Sequence, residues 1–329
     1  MSTLTVRLDH NRLERILTGG VSAVVPSTVL RVHGPGALDC LQGILSNDLV
    51  GPGPGRLIYN AVLTPKGMIV SDMWVLREAK DLIIIAPRSA HDPLGELFSR
   101  TLPPRLAAIE DLSRAWTVRA LMGDLAEVAL AETGLTESAG EPGAATTTAI
   151  LGATVAVAYG TPAAPFKALL AGPHESVEQV TSVLGDHGVT TGSSDDWHAA
   201  RIVGGWPALG LEIGSKTLPQ EVRFEDLDGV SFTKGCFIGQ ETVARVHFRG
   251  RTQRELRGVD WRDLQPLEGT AIANGERTLG EIHSVLELPD RRVALGMVRR
   301  EAAIGDTVTA GGREARIVAL PLDLADQVA

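Results

Sequence analysis

A strand, a glycine-bearing turn and a helix succeed one another twice along this chain, and that echo is what most limits the folds open to it. Val29 to His33 is a short apolar strand, Gly34-Pro35-Gly36 turns it, and a helix is expected from Ala37 to about Leu45. Trp116 to Met122 repeats the strand, Gly123-Asp124 the turn, and Leu125 to Glu132 the helix. A second pair follows the same logic. Leu82 to Ala86 is an unbroken apolar run of strand length, after which Ser89 is placed to cap a helix with Leu94, Leu97 and Phe98 on one face. Phe166 to Ala171, Gly172-Pro173 and a helix bearing Val177, Val180, Val183 and Leu184 form its counterpart. Strands and helices mixed in this way make an α+β protein.

Further strands are expected near Leu57 to Leu63 with Ile69 to Leu76, and near Thr154 to Ala158. Each copy then reads strand–helix–strand–strand–helix–strand, the order of the ferredoxin-like split βαβ unit. Ser138 to Thr148, rich in Gly, Ala and Thr, is expected to be an exposed loop. The run Gly51-Pro52-Gly53-Pro54-Gly55 is a rigid turn that lacks the Lys-Ser/Thr ending of a phosphate loop. From Glu255 onward, β-rich runs such as Val293 to Val298 and Glu314 to Leu320 are broken by Asn274-Gly275, Gly280 and Gly311-Gly312. That texture suits a small antiparallel barrel or sandwich. The expected organisation is a first α+β unit over 1–113, completed by 195–254, a second over 114–194, and a C-terminal barrel over 255–329.

The net charge of -9 argues against a general nucleic-acid or anionic-membrane binder, although a local basic patch is compatible with it. No apolar run approaches the roughly 18 residues that span a bilayer, and Met1 to Arg15 lacks the apolar core of a secretion signal. Cys40 and Cys236 are the only cysteines, so a disulfide framework is not expected and a cytoplasmic location is. Two thiols also fall short of the four that hold a typical iron–sulfur cluster, and the eight histidines show no ligand-like pairing, so no metal site is expected.

Cys236 stands between Gly235 and Gly239, beside Lys234 and ahead of a helical stretch from Gln240 to His247. A nearby cation and a helix N-terminus both favour a thiolate, and flanking glycines permit tight turns. Two readings stand at this point, an exposed activated thiol and a small residue buried in a turn. From Lys234 to Arg257 there are six Lys or Arg against two Glu, a surplus of four positive charges that suits a carboxylate or phosphate ligand. Aromatics are only 4% of the chain, so each one counts. Trp197, on a helix capped by Ser194 or Asp195, is placed either to stack on a flat heterocycle or to join the core. Tyr59-Asn60 and Thr64-Pro65-Lys66-Gly67 flank a hairpin, as ligand donors or as plain turn residues.

The stretch Val230-Ser231-Phe232-Thr233 followed by Lys234-Gly235-Cys236-Phe237-Ile238-Gly239-Gln240-Glu241, then Val243-Ala244-Arg245 and Phe248-Arg249-Gly250, resembles the signature of the YgfZ family. Leu41-Gln42-Gly43-Ile44-Leu45-Ser46-Asn47-Asp48, Pro65-Lys66-Gly67 and Leu218-Pro219-Gln220-Glu221 match in the same order, so the likeness extends over nearly the whole chain. The resemblance implies the fold of the glycine-cleavage T protein, with interlaced ferredoxin-like α+β units around a central cleft and a C-terminal antiparallel β-barrel. It implies tetrahydrofolate or a derivative as cofactor, with Trp197, Tyr59, Asn60, Asp72, Gln240 and Arg245 as its contacts. It implies Cys236 and Lys234 as the reactive pair, set in a motif with Gly235, Gly239 and Glu241. The partners it implies are folate and iron–sulfur client proteins or assembly factors, tRNA-modifying enzymes among them, with no direct DNA and no membrane.

The chain departs from the family pattern at three places. Ser71-Asp72 stands where the T protein has paired aspartates, Val203 where many relatives have Glu, and Ser27 where some have Trp. The leading expectation is a tetrahydrofolate-binding accessory factor for assembly or repair of iron–sulfur proteins, using Cys236. Two others stay open: a folate-dependent aminomethyl or one-carbon transferase in which Asp72 orients the folate nitrogen, and a scaffold for iron–sulfur assembly proteins that binds no folate.

Overall fold

The computed structural model describes residues 3–133, 140–150 and 153–324. Three sheets make up the architecture. The first is antiparallel, in the order Arg56–Leu63, Ile69–Arg77, Leu82–Pro87, Ser27–His33, Ala108–Asp111. The second runs Thr190–Gly192, Val21–Val24, Trp116–Met122, Ala168–Pro173, Ala153–Tyr159, Ala145–Ile150, and only its first pair is parallel. In the third, Arg277–Glu287 pairs with both Ala271–Asn274 and Arg292–Arg299, which closes six antiparallel strands into a barrel. The α+β reading with a C-terminal barrel is therefore right.

Side-chain alternation explains how the three sheets meet, because successive residues of a strand face opposite ways. On the first sheet Ile58, Val62, Met73, Val75, Ile84 and Ala86 face the helices Ala37–Ile44 and His91–Thr101. Their neighbours Leu57, Tyr59, Trp74, Leu76, Ile83 and Ile85 face a central core instead. The second sheet divides likewise: Leu121, Val155, Val157 and Leu170 pack with the helices Asp124–Glu132 and His174–Asp186, while Val118, Ala120, Leu169 and Ala171 turn to the centre. Leu286, Val293 and Leu295 of the barrel reach the same centre. Each such large side chain contributes about 1.5–3 kcal/mol when fully buried, so this shared core fastens the sheets to one another.

Two early strands go elsewhere in space than the 1–113 segment suggests. Leu4–Arg7 pairs in parallel with the last four residues of Arg277–Glu287, and Val21–Val24 belongs to the second sheet. The expected loop over Ser138 to Thr148 is a correction: Ala145–Ile150 is a strand paired with Ala153–Tyr159, and residues 138 and 139 lie outside the described residues. Alternating Thr and Ala read as loop by composition, yet Thr is a good strand former once a partner strand is present. Ser89 does not cap its helix; it sits in a 3-10 turn, Arg88–Ala90, that leads into His91–Thr101.

Candidate functional site

A cleft of about 270 Å³ opens between the first and second sheets, walled by the helix Ser194–Gly204 and the loop after it. Three of the chain's five tryptophans line it, Trp74, Trp197 and Trp206, together with Phe166. Trp74 and Trp206 stack at 5.3 Å between ring centroids, and Phe166 stands edge-on to Trp74 at 5.3 Å. Tyr59 lies behind this wall, 4.8 Å from Trp74 and 4.6 Å from Trp206.

One carboxyl sits among these rings. Asp72 shares the inward face of its strand with Trp74, two residues on, and is buried. The Tyr59 hydroxyl donates to its Oδ2 at 3.1 Å, while Oδ1 is buried with no hydrogen-bond partner among the described residues. Burial pushes the Asp72 carboxyl up to about 6, against the pull of Tyr59 and Arg201. Burial, reinforced by Asp72, also holds the Tyr59 hydroxyl well above its ordinary value, so it remains a donor.

The helix Ser194–Gly204 supplies the opposite wall. Ser193, one residue earlier than expected, is its N-cap, and the capping box is completed by Asp196, which also binds Arg12 at 2.6 Å. Trp197 and Arg201 are one turn apart, and both line the cleft with His198. Arg201 is fully buried, and each of its three nitrogens is engaged. It donates to His198 Nδ1 (3.0 Å), Glu212 (3.1 Å), the Trp206 carbonyl (3.3 Å) and Ser284 Oγ (2.6 Å). Burial and the Arg201 charge push His198 down to about 4, so it is neutral at pH 7 with its proton on Nε2. The cleft thus offers aromatic walls, a carboxyl oxygen awaiting a donor, and a neutral imidazole. Arg88, at its rim, is exposed.

The cysteine segment is a separate feature. Cys236 is exposed and does not line the cleft. Its loop is held by Gln240, whose Oε1 accepts from the Phe237 N–H at 3.0 Å just before the helix Gln240–Arg249. Gly239 is in the left-handed region at φ +83°, where glycine is at home; a Cβ on Gly235 would meet nothing, so only one of the two flanking glycines is sterically required. Lys234 has partners of its own. Its Nζ donates to the carbonyls of Gln42 (2.7 Å), Leu45 (2.7 Å) and Asn47 (2.8 Å), closing the C-terminal end of the helix Ala37–Ile44. All three of its N–H bonds are spent there, so it anchors the loop.

A GCVT N-terminal domain model matches residues 20–158. The tRNA-modifying protein YgfZ of Cronobacter sakazakii is 29% identical over 280 residues, which cover 81% of this chain and 80% of that protein. The protein of the same name from Sodalis glossinidius is 30% identical over 234 residues, covering 69% of this chain and 67% of that one. The chain belongs to the YgfZ family. The glycine cleavage system aminomethyltransferase T of Bartonella henselae shares the fold of this YgfZ chain, with a TM-score of 0.80 at 18% identity over 94% of the chain and 88% of that protein.

Of the residues expected to meet a ligand in this YgfZ member, Asp72 and Trp197 line the cleft and Tyr59 supports Asp72 from behind. Asn60, Gln240 and Arg245 do not reach it. Asn60 is on the opposite face of its strand from Tyr59, where its Oδ1 accepts from the Asn47 N–H at 2.8 Å. Gln240 is occupied with the cysteine loop, and Arg245 and Glu241 are exposed on the following helix. Ser27 lines the cleft, so that departure from the family pattern bears on the site, whereas Val203 is buried and lies outside it. Trp74, Trp206, His198 and the Arg201–Glu212 pair went unread in the sequence. The scarcity of tryptophan was the available signal for the first two.

Proposed function

We propose that this protein is a tetrahydrofolate-binding accessory factor in tRNA modification, serving iron–sulfur proteins through Cys236. The observation that carries the proposal is the orphaned Oδ1 of Asp72, buried in an aromatic-walled cleft. A buried carboxylate oxygen without a donor costs free energy unless a ligand supplies one, and a pterin presents N–H groups at the edge of a flat ring. Trp197, half-buried where Trp74 and Trp206 are buried and stacked on each other, is the ring placed to lie against such a heterocycle. Asp72 would hold the donor edge and Arg88 at the rim would meet an anionic tail.

The relatives are named for tRNA modification, and that role is carried over to this chain. The exposure of Cys236 outside the cleft favours a thiol that works on a partner protein, or on a cluster shared with one, over chemistry on the folate itself. Calorimetric titration with tetrahydrofolate tests the first half: heat is expected from the wild type and its loss in Trp197→Ala, and no heat from the wild type overturns folate binding. Complementation of a strain lacking its own YgfZ tests the second. Cys236→Ser is expected to leave tRNA modification unrestored, and full restoration would remove the thiol from the mechanism.

A further inference from the structure

The helix Gln240–Arg249 buries Val243 and turns its other side to solvent. On that side Phe248 is 68% exposed, the most exposed large apolar residue among those described. It stands edge-on to His247 at 4.6 Å, and His247 stacks on Phe232 at 3.8 Å, giving three rings at the surface. Phe232, Phe237 and Phe248 line a groove of about 100 Å³ beside the loop that carries Cys236.

Of the charged groups around these rings, His247 is held by Glu225 at 2.9 Å and Lys234 by three backbone carbonyls, while several others stand free. Arg245, Arg249 and Arg251 are exposed and make no hydrogen bond or ion pair among the described residues. Lys66 is likewise exposed and unpaired, on the hairpin turn whose Gly67 packs against Thr242 of this helix. Arg245 and Arg249 are four residues apart, a like-charge spacing that costs an isolated helix a few tenths of a kcal/mol. Glu241 is the single acid on the exposed side of the helix. A surface that gathers unpaired cations within a chain of net charge -9 is shaped for an anionic partner.

Unpaired cations alone suit any polyanion; the exposed rings narrow the choice. Base stacking on aromatic side chains, with arginines along the backbone, is how single-stranded nucleic acid is held without sequence readout, and RNA is read chiefly in loops where bases are unstacked. We propose that this face, with Phe248, His247 and Phe232 as the stacking platform and Lys66, Arg245, Arg249 and Arg251 as phosphate contacts, binds a single-stranded RNA loop next to Cys236. This deepens the tRNA-modification reading and rests on it, naming RNA itself as a partner.

The test is fluorescence anisotropy of the full-length protein, in folate-free buffer, with a labelled RNA stem-loop. A blunt RNA duplex of equal phosphate count and poly-glutamate serve as competitors. Because no folate is present, failure here and failure of the folate reading are separate results. The stem-loop is expected to resist both competitors. Phe248→Ala is expected to weaken binding at least about fivefold, the low end for loss of one base stack. Arg245→Ala/Arg249→Ala is expected to flatten the slope of log affinity against log salt by about 0.7 for each phosphate left unneutralised. Displacement by poly-glutamate would assign the face to an acidic protein, and equal binding of duplex, or wild-type affinity in Phe248→Ala, would end the stacking argument.

Discussion

Gly239 and Gly67 meet backbone to backbone: a Cβ on Gly239 would stand 3.0 Å from the Gly67 Cα and 2.5 Å from the Thr64 carbonyl oxygen. The cysteine loop is thereby set against the turn of the hairpin formed by Arg56–Leu63 and Ile69–Arg77. Both glycines have positive φ, +79° at Gly67 and +83° at Gly239. Gly239→Ala combines backbone strain with a clash that no flexible side chain can relieve. It is expected to lower stability by about 1–3 kcal/mol and to displace the loop, abolishing complementation while tetrahydrofolate binding persists. Thermal unfolding and calorimetry on the same preparation check both halves.

Lys234 makes a different kind of attachment. Removing its ammonium leaves the carbonyls of Gln42, Leu45 and Asn47 without their shared donor. Lys234→Met is expected to cost about 2–3 kcal/mol, since each half-buried acceptor loses a charge-assisted bond. Lys234→Arg should not rescue it, because a planar fork cannot converge on three carbonyls as an ammonium does. Urea unfolding of the two variants distinguishes this anchoring role from one in thiol chemistry, which would leave stability unchanged.

The Arg201–Glu212 pair is buried on both sides, with side chains 1% and 0% exposed. Burial lowers the Arg201 pKa while Glu212 and Asp72 oppose the shift. Breaking such a pair strands a charge in a low-dielectric interior. Arg201→Ala is expected to destabilise by about 3–5 kcal/mol, and Arg201→Met/Glu212→Leu by less than the single change. Chemical denaturation of the two variants measures the difference.

The repeated strand–turn–helix pattern made the two α+β sheets legible, because strand and helix periods depend on local sequence. Val21–Val24 and Leu4–Arg7 were not legible in the same way. Each is short, and each takes its place only through a partner about a hundred or more residues away, Trp116–Met122 for one and Arg277–Glu287 for the other. At the site, Trp197 was legible as a rare aromatic on a helix and Asp72 through a family likeness, but the likeness could not tell which face of a strand a residue occupies. Tyr59 and Asn60 are neighbours in sequence and point to opposite sides, one toward the cleft and one toward Asn47. Lys234 looked like a partner of Cys236 because they are two residues apart; the carbonyls it binds are nearly two hundred residues away.

Asp72 yields a prediction in which stability and binding move in opposite directions. Its carboxyl is raised to about 6 in the folded protein, chiefly by burial, against about 3.9 for an unfolded Asp. Below about pH 4 both states carry the proton and the residue is neutral toward folding. Above about pH 6 both are ionised, and the buried charge costs the folded state on the order of 3 kcal/mol. Asp72→Asn is therefore expected to raise the melting temperature near pH 7.5 and to leave it nearly unchanged near pH 4. Ligand binding needs the ionised form, because a carboxylate accepts from N–H donors on both oxygens and a protonated acid does not. Tetrahydrofolate affinity of the wild type is then expected to hold above about pH 6 and to fall roughly tenfold per pH unit below it, while Asp72→Asn is weak and flat over that range. Melting curves and calorimetry across pH read both effects. A variant that is more stable but no longer binds would mean Asp72 is retained for a ligand at the expense of the fold, as strained functional sites generally are. A variant that loses stability near pH 7.5 would make Asp72 a structural residue and leave the cleft without its anchor.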